Sequence, residues 1–359
     1  FHGCPRVTLH QAIKPAGSFY LGHLRLNRLG RAVAAEVTAR DPHAHVVING
    51  GNCAWPGINW MHCVHRAWKP CDCGAPLWFR LKNRLGKARA RRDERRCVAM
   101  ANRIVANSNR TRNDIIERLG VAPERVTAVY LGIDDRWRPI TTQRRAEARA
   151  ALGLPVDRPL IAFVGALGHD SNKGFDTLWA AWRRLCAQPD WNANLIAAGG
   201  GRAVARWRSD VARAGLDGRT RMLGFVENIG DVLAASDLLV SPVRYESYGL
   251  NVHEAICCGI PAIVSESAGV AERFSSDLRE LLLHDPEDAS ELAALMLRWR
   301  ANMEGFRQRI EPLAVALRAR TWDEMAADIV ALADDRSPVA RGETAFTRRT
   351  AGMETANVG

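Results

Sequence analysis

Two glutamates, Glu246 and Glu254, stand eight positions apart in "VRYESYGLNVHEAICCGIPAIVS", one before a glycine-bearing turn and one on the apolar stretch after it. The apolar run "DLLVSP" just ahead reads as a buried strand, so Glu246 falls past a strand end, and Tyr248, Gly249 and Leu250 enter the next helix. Beyond the carboxyl ends of parallel strands, helix N-termini offer unpaired N–H groups and a positive dipole end, and Gly249 permits close backbone approach. That chemistry suits a phosphate. Glu254, with Leu250 and Cys258 one turn to either side, is expected to be half-buried, where a carboxylate needs hydrogen-bond donors. Ribose hydroxyls would serve. The competing reading is a surface salt bridge for each glutamate.

His62 and His65 lie at the expected end of another strand, in "VVINGGNCAWPGINWMHCVHRAW", with Cys53, Cys63, Cys71 and Cys73 nearby. The spacing lacks the paired C-x2-C pattern of structural zinc sites, so neither a metal nor another cofactor is expected. Nine cysteines at irregular spacing point to reduced thiols rather than a disulfide framework.

The elements that must position these groups follow from hydropathy. From Pro159 onward "PLIAFVG", "ANLIAAGGG", "TRMLGF", "DLLVSP" and "PAIVS" alternate with helix-like segments, the pattern of a parallel sheet covered on both faces. This half reads as a Rossmann-like lobe. In the N-terminal half, "HAHVVING", "INWMHCVH", "RIVANS" and "VTAVYLG" read as strands, with helices near Leu26–Arg40, Leu77–Asn102 and Thr111–Leu119. The polar stretch from Arg336 is expected to be disordered.

Lys and Arg number 50 against 39 Asp and Glu, a net charge of +11, and the excess is densest in "RLKNRLGKARARRDERR", Arg80 to Arg96. Such a run favours phosphates, anionic lipid or nucleic acid, or is simply a solvated basic helix. It lacks the interleaved aromatics of a stacking platform, which argues against nucleic acid. A peripheral contact with an anionic membrane remains, at about 1 kcal/mol per basic residue near the surface. No apolar run reaches the roughly 18 to 20 residues of a membrane span, and no secretory stretch opens the chain, so a cytoplasmic protein is expected.

The E-x7-E stretch resembles the signature of retaining glycosyltransferases of family GT4, and further segments agree in order. "RIVANSNRTRNDIIERLGVAPERVTAVYLGIDDRWRP" resembles the interlobe segment of that family, "FVGALGHDSNKGFDTLWAAW" its first donor-lobe strand, turn and helix, and "TWDEMAADIVAL" its closing helix. "TRMLGFVENIGDVLAASDLLVSP" and "SAGVAE" fall between them as expected. The resemblance implies an α/β GT-B fold, two Rossmann-like lobes with parallel sheets facing each other across a cleft. The expected divisions are an acceptor-side lobe over 1–138, a linker over 139–158, a nucleotide-sugar lobe over 159–312, a closing helix over 313–335 and a tail over 336–359.

The implied activity is transfer of a sugar from a nucleotide diphosphate-sugar donor to a hydroxyl of a sugar or lipid-linked acceptor, with retention, as in cell-envelope glycan or glycolipid synthesis. Residue by residue, the resemblance puts Glu254 on the donor ribose and Glu246 near the transferred sugar. Ser247, Gly249 and Leu250 fall on the donor-contacting turn, Lys173 on the diphosphate, and Gly165, Phe225 and Val226 on the donor. His62 falls near the acceptor. One departure is Ala166, where the family often has arginine after the strand-ending glycine; Arg202 and Arg244 are the alternatives. Another is that Phe1 to Tyr20 match neither the family's first strand nor its Gly-rich turn, so an absent N-terminal piece is expected. Two rivals stay open: a GT-B nucleotide-sugar epimerase, and a non-catalytic nucleotide-sugar-binding remnant.

Overall fold

The computed structural model describes residues 7–12, 19–69 and 75–335. Cys71, Cys73, the tail from Arg336 and most of the segment preceding Tyr20 lie outside these residues. Two compact units divide the chain: 1–67 with 81–129 and 328–359, and 68–80 with 130–327.

In the first unit, α1 (Phe19–Arg40) precedes β1 (Val47–Asn49), β2 (Ile58–Met61), α2 (Leu77–Met100), β3 (Arg103–Ala106), α3 (Asn109–Leu119) and β4 (Val126–Ala128). Among the described residues the four strands form a parallel sheet in sequence order. Met61, Val98, Ile104, Ile115 and Val126 meet in its core. Ser108 caps α3 by accepting from Thr111 N–H at 3.0 Å, and Gly120 ends it in the left-handed region. The first residues of α2, up to Arg80, belong with the second unit.

The second unit runs α4 (Thr142–Ala151), β5 (Leu160–Val164), α5 (Phe175–Cys186), β6 (Asn194–Ala198), α6 (Val204–Arg213), β7 (Thr220–Gly224), α7 (Ile229–Ala235), β8 (Leu238–Ser241), α8 (Leu250–Cys257), β9 (Ala262–Ser265), β10 (Leu282–Leu283), α9 (Ala289–Ala301), α10 (Met303–Arg318) and α11 (Trp322–Asp334). From Asp328 the last of these belongs with the first unit, where Asp334 meets His45 at 2.8 Å. The sheet is parallel, in the order β10-β9-β8-β5-β6-β7. β6, β8 and β9 are buried along their whole length, as continuous apolar runs covered on both faces must be. After β5 the chain builds outward through β6 and β7, then returns to place β8 on the other side of β5. The strand order therefore reverses between β5 and β8, and an open parallel sheet offers a ligand crevice at the carboxyl ends of such a pair.

The opposite end of this strand pair is fixed by Asp237, buried just before β8. Its carboxylate accepts from the Leu160 N–H at 2.8 Å, Arg149 at 2.6 Å, Arg145 at 2.7 Å and Arg307 at 2.6 Å. One carboxylate thus joins β5, α4 and α10. Removing it leaves three guanidinium groups, one of them buried, without their shared partner. Asp237→Ala is expected to lower unfolding free energy by about 3 to 5 kcal/mol in urea titrations; a loss below about 1 kcal/mol would contradict this role.

Candidate functional site

The loops that follow β5 and β8 are joined most symmetrically by the side chain of Asn172. Asn172 donates its amide N–H to the Tyr245 carbonyl at 3.0 Å and accepts from the Tyr245 N–H at 3.1 Å, while Arg244 N–H donates to the Asn172 carbonyl at 2.9 Å. The two residues flanking this clamp, Lys173 and Glu246, meet at 2.5 Å between Nζ and Oε2. Lys173 lays its stem over Gly165: a Cβ added there would stand 3.3 Å from the lysine Cβ and Cγ. Asn251 ties the start of α8 to the end of β5 through the Val164 carbonyl at 3.0 Å. Gly165, Lys173, Glu246 and Gly249 therefore gather at the carboxyl ends of β5 and β8.

Both helices that start here do so on glycine. Gly174 has φ +71°, and a Cβ at that position would lie 1.8 Å from the Pro242 carbonyl oxygen; Gly249 has φ +113° against Val270. Neither α5 nor α8 has a side-chain cap, whereas Ser108, Thr141 and Asp288 cap α3, α4 and α9. Two helix starts without a capping side chain, beside a lysine, present backbone N–H groups of the kind that can bind an anion. The Glu246–Tyr248 turn is held from outside by Gly269 N–H to the Glu246 carbonyl at 3.1 Å and Val270 N–H to the Tyr248 carbonyl at 2.6 Å. Below it, buried Tyr248 meets the His253 Nδ1 at 2.9 Å, and burial pushes His253 down to about 4.

Glu254 is half-buried on α8, as its helix position implies. Burial raises its carboxyl to about 7, opposed by the nearby Arg136 and reinforced by Asp134. At neutral pH this group changes charge readily, so a ligand offering hydroxyl donors would favour the ionised form. Ser247 is buried in the turn, Leu250 half-buried at the first position of α8, and Val226 half-buried after β7. Phe225 is 82% exposed and packs beside Gly200. It lies two strands from β5, roughly 10 Å along the edge of the sheet.

The two arginines considered as substitutes at the Ala166 departure differ sharply. Arg244 forms a two-pronged pair with Asp176 at 2.8 and 2.9 Å, reaches Glu287 at 3.1 Å and also donates to the Ser171 carbonyl. Its guanidinium is thus spent on the loop that carries Lys173. Arg202 is exposed and lies over the Trp78 ring, 6.0 Å from the centroid. Sequence reasoning passed over Asn172 and the Asp134/Arg136 pair beside Glu254. An Asn immediately before Lys-Gly at a strand-ending loop was the available signal for the first.

His62 belongs to the first unit, directly after β2, its ring 4.3 Å from that of Trp60 and its basicity lowered by burial. The loop that carries it is anchored by Glu94 of α2, only 1% exposed, which accepts from the His65 N–H at 2.8 Å. Arg91 donates to the His65 carbonyl at 3.2 Å, and burial lowers the His65 imidazole further than its neighbours Arg91 and Lys87 do. Glu94 was not foreseen, because in sequence it is one acid within a basic run. Burial raises its carboxyl to about 7, well above the ordinary 4.5. The folded chain therefore binds more protons than the unfolded one between those values, and Glu94 makes stability fall as pH rises from about 4.5 to 7. Glu94→Gln is expected to remove that fall, matching the parent near pH 4 and exceeding it by about 1 to 3 kcal/mol at pH 8. Identical pH profiles of thermal stability would contradict the assignment.

Comparison with known proteins agrees with this geometry. Residues 6–137 match the family model "Glycosyltransferase Family 4" and residues 158–302 the model "Glycosyl transferases group 1". The chain is 32% identical over 219 residues to the D-inositol 3-phosphate glycosyltransferase of Saccharomonospora viridis, covering 57% of this chain and 50% of that protein. With the enzyme of that name from Xylanimonas cellulosilytica it shares 30% over 261 residues, 68% of this chain and 60% of the other. The chain thus spans about half the length of the curated relatives it matches. Among solved structures, sucrose-phosphate synthase from Thermosynechococcus elongatus superposes with a TM-score of 0.67 at 20% identity, over 92% of this chain and 79% of that one. Anabaena HepE in complex with UDP-glucose gives 0.61 at 19%, over 77% and 71%. Together with the E-x7-E turn at the reversal of strand order, these matches establish that the chain belongs to the family 4 glycosyltransferases and has their GT-B fold.

Proposed function

We propose that the protein transfers a sugar from a nucleotide diphosphate-sugar to an acceptor hydroxyl, with retention of anomeric configuration. The observation that carries this reading is the corner at β5 and β8, where Lys173, Glu246 and two helix starts without a capping side chain converge beside a half-buried Glu254. The donor diphosphate lies over the helix starts and Lys173, where positive partial charge meets the negative charge that grows on the leaving group as the glycosidic bond breaks. Glu254 accepts the ribose hydroxyls. Glu246, bonded to Lys173, sits at the transferred sugar, and the lysine is shared between sugar-side carboxylate and diphosphate. Ser247, Gly249, Leu250 and Gly165 shape the turn around the donor, and Phe225 with Val226 offers an apolar edge on the β7 side.

The acceptor reading assigns 1–138 to the acceptor-side lobe, with His62 near the reacting hydroxyl and 159–312 to the donor. The names of the curated relatives, inositol-phosphate glycosyltransferases, and of a neighbour solved with UDP-glucose support the donor class. A sugar or lipid-linked acceptor at a membrane surface is favoured by α2, whose exposed Leu81 and Leu85 stand among exposed Lys82, Arg84, Arg92, Arg95 and Arg96. Such a mixed face suits reversible cytoplasmic attachment to anionic lipid. No described helix is long and apolar enough to cross a membrane.

Two experiments test this. Calorimetric titration with UDP, GDP and ADP should find one nucleotide bound, with affinity rising as pH passes upward through about 7, because protons compete for the Glu254 carboxylate. Glu254→Gln should flatten that dependence and weaken binding roughly 10- to 100-fold; a parent affinity independent of pH would remove Glu254 from the ribose. For the membrane contact, the protein should sediment with phosphatidylserine vesicles, less so as salt rises and the screening length falls to about 8 Å. Replacing Lys82, Arg84, Arg92 and Arg96, all exposed, with Gln should reduce sedimentation without altering nucleotide affinity. Indifference to such vesicles at low salt would leave the run a solvated face.

A further inference from the structure

The ion pair between Lys173 and Glu246 sets a charge problem at the corner. With the ammonium bonded to a carboxylate, the pair carries no net charge, and a diphosphate placed there faces only the helix starts. Arg244 cannot supply the difference, since Asp176, Glu287 and the Ser171 carbonyl occupy its guanidinium. A further cation has to come from a neighbouring loop.

The loop after β6 crosses directly over the loop after β5. Gly165 N–H donates to the Ala198 carbonyl at 3.0 Å, Leu167 N–H to the Gly200 carbonyl at 2.9 Å, and Ala203 N–H to the Leu167 carbonyl at 3.0 Å. Arg202 falls between the last two contacts, so its backbone is pinned beside Ala166, on the loop whose Gly165 underlies the Lys173 stem. Ala166 itself is exposed and small, leaving room above it. Among the described residues Arg202 has no carboxylate partner; its guanidinium carbon lies 6.0 Å from the Trp78 ring centroid. Trp78 is 56% exposed, and the adjacent Phe79 packs edge-on against His169 at 5.0 Å, which fixes this turn of α2 on the same loop. An arginine lying over an aromatic face is oriented without using up its five N–H donors.

We infer that Arg202, oriented by Trp78, is the second cation of the diphosphate site and contacts the donor's phosphate oxygens opposite Lys173. The inference rests on the donor reading given above and names a residue for it. The arrangement makes the charge of the site separable: Lys173 serves both sugar-side carboxylate and phosphate, whereas Arg202 serves phosphate alone.

The test compares the parent protein with Arg202→Gln and Trp78→Leu, all at exposed positions, by titrating each with UDP, GDP and ADP and with the corresponding nucleosides. Arg202→Gln should weaken the preferred diphosphate roughly 10- to 100-fold while leaving its nucleoside within about twofold. Trp78→Leu should weaken the diphosphate several-fold in the same selective way, and an unchanged affinity would remove Trp78 from the inference. A parent that prefers diphosphate to nucleoside, with an Arg202→Gln variant that binds both as the parent does, overturns the inference and leaves the donor reading standing. A parent that gains nothing from the phosphates sinks the donor reading and this inference with it.

Discussion

Lys173 and Glu246 are 73 positions apart in the chain, and the amide of Asn172, together with Arg244, ties the loops that bring them together. Asn172 donates to and accepts from the backbone of Tyr245, so it behaves as one more rung of parallel sheet placed beyond the strand ends. The amide serves both groups at once: a carboxylate at the position has no donor for the Tyr245 carbonyl, and an aliphatic side chain leaves both backbone groups without this partner. Once the two loops are tied, the remaining geometry of the corner follows. Gly174 must press against Pro242, Gly249 must turn with positive φ, and the two helices must begin side by side.

The same strand pair is fixed at its other end by Asp237 and its three arginines. β5 and β8 are thus held above and below the apolar core, and their carboxyl ends are not free to splay. A site that acts by charge requires this rigidity, because donors already aimed at the place where charge develops need not reorganise during reaction. It also explains why Arg244, although close to the corner, bonds to Asp176: it braces the loop that carries Lys173. Cations that look equivalent in sequence thus make different bonds, Arg244 to Asp176 and Lys173 to Glu246.

What could be read from the sequence and what could not divides along physical lines. The strands of the second unit were legible as apolar runs because burial on both faces leaves no alternation. The Glu246 and Glu254 placements were legible because a strand end and a helix face fix the direction of each side chain. The two-residue β10 was not, since a single Leu-Leu rung carries no periodic signal. Helix α1 begins at Phe19, seven residues ahead of the expected Leu26, because Gly22 and the mixed pattern around it obscure its first turns. Asn172 and Glu94 escaped notice for a common reason: each is defined by backbone groups distant in sequence, Tyr245 for one and His65 for the other. The partner of a long-range hydrogen bond leaves no local trace, although the Asn before Lys-Gly marked its own loop.

In the proposed function a nucleoside diphosphate settles at the carboxyl ends of β5 and β8. Hydrogen–deuterium exchange of the protein with and without the nucleotide it prefers tests this most directly, since it reports protection along the backbone without any substitution. Nucleotide bound there slows exchange in peptides covering 165–175, 199–203 and 246–255, with the Asp237 end of the same strands unchanged. Protection confined to other segments, or none at saturating nucleotide, would contradict it.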